Sequence, residues 1–247
     1  LTASVPESLA REGFTVPVNN WNVFKTDEAF VWRSEMPPVP TERLLDWQRI
    51  VLEAGDRHEV MRVLDAPDWG YQRDRDGPVV AWLERHGERI EPMDSYPAGF
   101  LVGHGQAYTC AARLAYLNRD DIVEGWFTNL GEAALAAGVF YPGGGYPPIS
   151  VDTAPAWREE GFTAHIATAT DIWFPHNMMG SRGEPADNRT LSRINAARLN
   201  AFLREFRDAC RDLGGDWSWT PHRPGTWEVD DQGFVSEGSE GSEGSEA

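Results

Sequence analysis

The chain has 247 residues, 11 tryptophans, two cysteines and a formal charge of −17. That length suits one large domain with ample material for a core, and the charge repels nucleic acid and anionic membrane at long range, so neither is an expected partner. A single lysine, Lys25, stands against 21 arginines, which excludes a Walker A phosphate loop and confines Schiff-base chemistry to one position.

The first 30 residues lack a basic start followed by an apolar core, and no apolar run reaches the length of a membrane span, so the expected compartment is the cytoplasm. Residues 1–40 read as an entry arm with short strands at Phe14–Val18 and Glu28–Arg33. The prolines of Met36–Pro40 interrupt regular structure. Thr41 is then placed to cap a helix whose Leu44, Leu45, Trp47, Val51 and Leu52 repeat at helical spacing, with Gly55 at its end. Asp56 is placed to cap a second helix carrying Val60, Val63 and Leu64. Residues 66–78 read as a charged, solvated loop. Val79–His86 is too brief for its period to decide between helix and strand. Ala98–Val102 reads as a buried strand broken by Gly103-His104-Gly105.

A helix is expected over Ala107–Leu117 with Cys110, Leu114 and Leu117 inward, and another over Asn129–Ala137. Tyr141-Pro-Gly-Gly-Gly-Tyr146 reads as an ordered loop in which tyrosine packs beside glycine. The most informative stretch follows: a strand over Thr163–Phe174, a loop over His176–Arg189, and a helix over Thr190–Leu213 ended by Gly214-Gly215. That helix carries Leu191, Ile194, Leu199, Phe202, Leu203, Phe206, Cys210 and Leu213 on one stripe and charged residues on the other. Strands at Asp216–Thr220 and Trp227–Val229 close a globular part spanning 1–235. From Ser236 the Ser-Glu-Gly repeats have nothing to bury and carry four like charges, so 236–247 is expected to be disordered. The fold class is α+β: one domain, a mixed or antiparallel sheet packed by helices, and a long C-terminal helix.

The candidate chemistry lies around the 171–189 loop. Asp171, His176 and Asp187 flank it, with Asn188 beside them, and Asp with His can share a divalent metal or act as acid and base. Their spacing matches no standard metal motif, and Asp187-Asn188-Arg189-Thr190 also reads as helix capping. His165 and Asp171 sit toward opposite ends of the expected strand and do not make a dyad. Asn195 lies near the apolar stripe of the helix and needs a partner, for which the 176–189 loop is the expected source. Candidate contact residues for a partner are Trp173, Met178, Met179 and Arg182 on the same unit, with His104, Tyr141, Tyr146 and Trp219 elsewhere. Gly103-His104-Gly105 is too short for a dinucleotide fingerprint, and neither G-x-S-x-G nor H-E-x-x-H occurs. No cofactor is expected. Cys110 and Cys210 read as small buried hydrophobes.

The runs Thr170-Asp-Ile-Trp-Phe-Pro175, Asp187-Asn-Arg189 and Arg198-Leu-Asn-Ala-Phe-Leu203 resemble a pattern from a family of uncharacterised proteins of high-GC bacteria. The resemblance covers the C-terminal third. It implies the strand–loop–helix unit and no particular activity.

Three function classes follow. The first is a non-enzymatic acidic binding protein, immunity- or antitoxin-like, masking a basic protein surface. The second is a metal-assisted or acid/base hydrolase using the 171–189 loop. The third is an accessory or structural subunit. Nothing in the sequence sets the oligomeric state.

Overall fold

The computed structural model describes residues 21–24, 29–65, 109–139, 145–155, 161–177, 186–222 and 227–236. In chain order it contains β1 (Phe30–Met36), α1 (Thr41–Arg57), β2 (Arg62–Asp65), β3 (Thr109–Asn118), β4 (Asp121–Phe127) and α2 (Leu130–Ala137). Then come β5 (Ser150–Pro155), β6 (Phe162–Thr168), β7 (His176–Asn177), β8 (Ala186–Asp187), α3 (Arg189–Asp212) and β9 (Ser218–Pro221). The strands pair antiparallel as β5-β6-β1-β9, β2-β3-β4 and β7-β8, so the fold is α+β. Among the described residues no helix is long and apolar enough to cross a membrane.

Helix α3 ties these parts together. Its stripe of Leu191, Leu199, Phe202, Leu203, Phe206 and Cys210 is buried, as its period predicts. It packs against α1, β1 and β3, and Phe206 meets Trp47 of α1 edge-on at 5.9 Å. Helix α2 forms where expected, one residue later: Asn129 caps it by accepting the N–H of Glu132, and Gly138 closes the end in a left-handed conformation.

Several expected elements differ. Thr41 is the first residue of α1 rather than its cap, and Pro40 holds the cap position. No second helix starts at Asp56. Glu59 adopts φ +59°, which ends α1, and the following residues form β2. The helix expected over Ala107–Leu117 is strand β3, so Cys110 lies on a strand. Its helical spacing misled because residues of both parities, Ala111, Ala112, Leu114, Ala115 and Leu117, are buried. A strand covered on both faces loses its alternation. Both cysteines are free and buried. Burial pushes the Cys110 thiol up. It also pushes the Cys210 thiol to about 12, against hydrogen bonds with Ser34 and Trp47. Neither is a reactive thiolate.

The 163–174 strand stops at Thr168. The Thr168 hydroxyl accepts the N–H of Thr170, and the Thr170 hydroxyl accepts the N–H of Ile172. These short-range bonds replace a ladder and curl the chain. The expected two-face alternation beyond 168 does not exist. Trp227–Val229 is no strand either; Val229 makes one isolated bridge, to Val235. The strand expected at Phe14–Val18, the segments at 79–86 and 98–105, and the 237–247 part of the tail lie outside the described residues.

Candidate functional site

The loop between β6 and β7 is enclosed, and its polar groups are wired internally. Asp171 is 3% exposed. Its carboxylate accepts the Asn22 backbone N–H at 2.5 Å and the Asn22 side-chain N–H at 2.7 Å. Asn22 in turn accepts the Thr170 hydroxyl on its carbonyl. Burial pushes the Asp171 carboxyl up to about 7, and the two Asn22 donors oppose that rise. Trp173 is fully enclosed, with its indole N–H donating to the Thr168 hydroxyl, so its ring does not reach the surface. From the start of α3, the Asn188 side chain donates to the carbonyls of Ile172 and Phe174. Its own Oδ1 is buried and has no partner among the described residues.

His176 and Asp187 are brought together. They stand opposite each other in the β7–β8 pair. His176 Nδ1 also lies 2.6 Å from Glu228 Oε1. Asp187 accepts the Arg189 backbone N–H and both sides of its guanidinium fork. That guanidinium chiefly holds the Asp187 carboxyl below its usual range, with a smaller contribution from His176. Asp187 thus works at the start of α3, as its capping position suggests. Asp171 keeps its own partner, Asn22. Of the other candidates, Tyr146 is half-buried at the core edge, and its carbonyl accepts the first N–H of α2. Trp219 is half-buried and registers with Trp32 across β9 and β1. Met178, Met179, Arg182, His104 and Tyr141 lie outside the described residues.

Two asparagines on α3 do work that the stripe did not reveal. Asn195 accepts the Ala115 N–H at 2.8 Å and donates to the Ala115 carbonyl at 3.0 Å. It binds β3 rather than the expected 176–189 loop. The edge of β3 is thereby closed in steps: β2 at Ala111, the Glu59 carbonyl at Arg113, and the Asn195 amide at Ala115. An edge so covered offers no template for another strand. One turn further on, Asn200 holds both the N–H and the carbonyl of Val235. A polar residue buried on an apolar stripe was the available signal; its partner was not readable from sequence.

Near Asn195 lies a closed ring of charges. Arg113 pairs with Glu59 and Glu124, and Arg198 pairs with the same two carboxylates. Arg62 pairs with Asp56 and stacks over Trp126. Among the described residues no group of three or more His, Cys, Asp or Glu is placed to hold a metal ion. No family model, curated protein or solved structure matches this chain.

Proposed function

We propose that this is a non-enzymatic acidic binding protein that masks a basic surface on a protein partner, as an immunity protein or antitoxin does. The observation that carries this reading is the excess of acids, a formal charge of −17, with exposed carboxylates left over after the internal ion pairs are made. Arg57, Arg62, Arg113, Arg189, Arg198 and Arg207 are all engaged by carboxylates of the same chain. The surplus acids are left facing outward. Glu35 and Asp216 meet at one corner, where the Asp216 N–H donates to the Glu35 carbonyl and the Glu35 N–H donates to the Asp216 carboxylate, with Asp212 at the adjoining end of α3. No ion pair forms at these three among the described residues. A surface with acids in excess attracts a basic partner and speeds its encounter.

The test is in-cell crosslinking with the tagged chain, followed by capture at low and high salt. A partner of strongly basic isoelectric point is expected. Its capture should fall steeply with salt and be lost on Glu35→Lys with Asp216→Lys. A chain that remains alone at low salt, or that takes only acidic partners, overturns the reading.

A second reading, acid/base hydrolysis at the 171–189 loop, is favoured by one arrangement. His176 has Glu228 at hydrogen-bonding distance and Asp187 across the strand pair. A histidine held by a carboxylate is a common general base. His176→Ala would abolish such an activity and leave capture of a basic partner intact.

A further inference from the structure

The last described segment, 227–236, is seated as a bound peptide would be. It begins with Trp227, whose ring lies 4.8 Å from Phe174 and 5.6 Å from Phe30. Asp230 then organises a tight turn, its carboxylate accepting the N–H groups of Gln232 and Phe234. The turn needs no outside help to form. What holds it on the body is a set of side chains that read its backbone. Trp32 and Trp217 donate their indole N–H groups to the carbonyls of Gly233 and Gln232. Asn200 brackets Val235 on both its N–H and its carbonyl.

The side chains of the segment are received as specifically. The Phe234 ring sits between the guanidinium groups of Arg204 and Arg207, at 5.0 and 4.9 Å. Arg207 also donates to the Gln232 side chain. Gly233 has φ +82°, and a Cβ there would lie 2.6 Å from the Trp219 ring, so only glycine fits. Amide, indole and guanidinium groups that read backbone atoms and one aromatic anchor are the chemistry of peptide recognition.

We propose that the groove of Trp32, Asn200, Arg204, Arg207, Trp217 and Trp219 is a peptide-binding site, and that residues 227–236 are its tethered resident. The occupant it fits in a partner protein is a turn of the resident's own pattern, Asp-x-x-Gly-Phe-Val. Displacement also reaches the candidate loop. Glu228 belongs to the resident and is the carboxylate on His176, so a partner that evicts the segment takes Glu228 away from that histidine. This inference does not rest on the basic-partner reading. The groove reads amides and an aromatic ring, and its failure would leave the acidic surface unaffected.

A tethered segment competes at an effective concentration on the order of millimolar, so the intact chain resists a free peptide. The test therefore titrates a fluorescent peptide of residues 227–236 into the full-length chain and into Asp230→Ala, reading anisotropy. Asp230 is exposed and serves only the turn, so Asp230→Ala loosens the resident and keeps the groove. At least tenfold tighter peptide binding to Asp230→Ala is expected, lost again when Asn200→Ala is added. The His176 ring resonances should move in Asp230→Ala and return on peptide addition only if that peptide carries its Glu228. Equal binding to both chains, or none to the variant, overturns the proposal. If Asp230→Ala does not fold, Glu228→Gln loosens the same segment at its other end, and the same outcomes decide.

Discussion

The apolar stripe of helix α3 and the 169–175 loop are both buried and are held by opposite means. The helix satisfies its own backbone, and its stripe contributes through area removed from water, roughly 1.5–3 kcal/mol for each large side chain. The loop has no ladder. The hydroxyls of Thr168 and Thr170, the Asn22 carbonyl and the Asn188 side chain take up its backbone groups one at a time. A change in the helix should therefore scale with volume lost. A change in the loop should scale with polar groups left unpaired.

The largest expected effect tests the helix side. Phe206→Ala removes a fully buried ring that meets Trp47, Phe202 and Trp217. It should cost about 3–5 kcal/mol in denaturant unfolding. Phe206→Leu should recover much of that, because volume governs the site. Wild-type stability in Phe206→Ala would place the stripe in solvent and remove the basis of the comparison.

Next in size is Asn195→Leu, which crosses the two means on one helix. The substitution keeps the number and branching of side-chain heavy atoms, yet it strands the N–H and carbonyl of Ala115. We expect a loss of roughly 2–4 kcal/mol from two unpaired buried groups. Hydrogen exchange at the Ala115 amide should rise well beyond that of its neighbours. No change at Ala115 would mean that β3 keeps its edge without the helix.

How much of this was legible in the sequence follows from the same contrast. The stripe of α3, the apolar face of α2 and the β1 run are local patterns, and their periods report which side chains are buried. The pattern failed where burial was two-sided, as at Ala111–Leu117. It also failed where a hydroxyl won the backbone, as at Thr168 and Thr170. For the candidate site, sequence placed His176 and Asp187 on one loop, and they do face each other. It gave no sign of Asn22 or Glu228, because both come from segments remote along the chain. The 30–222 span that carries most of the fold supplies neither of them.

The loop side is tested through pH. The Asp171 carboxyl moves from 3.8 to about 7 on folding, mainly by burial. Between those values the folded chain holds a proton that the unfolded chain has lost. Stability from this group is therefore fully present below about pH 4 and is lost as pH rises through about 7, with a slope of at most about 1.4 kcal/mol per pH unit. Asp171→Asn should remove that slope and make the variant relatively more stable at pH 8 than at pH 5. An unchanged slope would show that Asn22 stabilises the carboxylate enough to offset its burial.

The smallest expected effect concerns Asp187, whose titration runs the other way. Arg189 holds its carboxyl below the usual range, so its contribution is present above the ordinary carboxylate pKa and lost as pH falls through the lowered value. Its side chain is 45% exposed, so solvent screens the pair, and Asp187→Ala should cost no more than about 1 kcal/mol. Asp187→Ser restores an acceptor for the Arg189 N–H and should recover part of that loss through the backbone bond alone. A catalytic Asp187 would behave differently: serine would restore stability and leave any hydrolysis as dead as alanine does. Thermal melts of the two variants, set beside capture of a basic partner by each, therefore separate a carboxylate that starts a helix from one that acts on a substrate. Equal stability of Asp187→Ala and wild type from pH 4 to pH 8 would remove Asp187 from the structural account and leave the hydrolase reading as its remaining role.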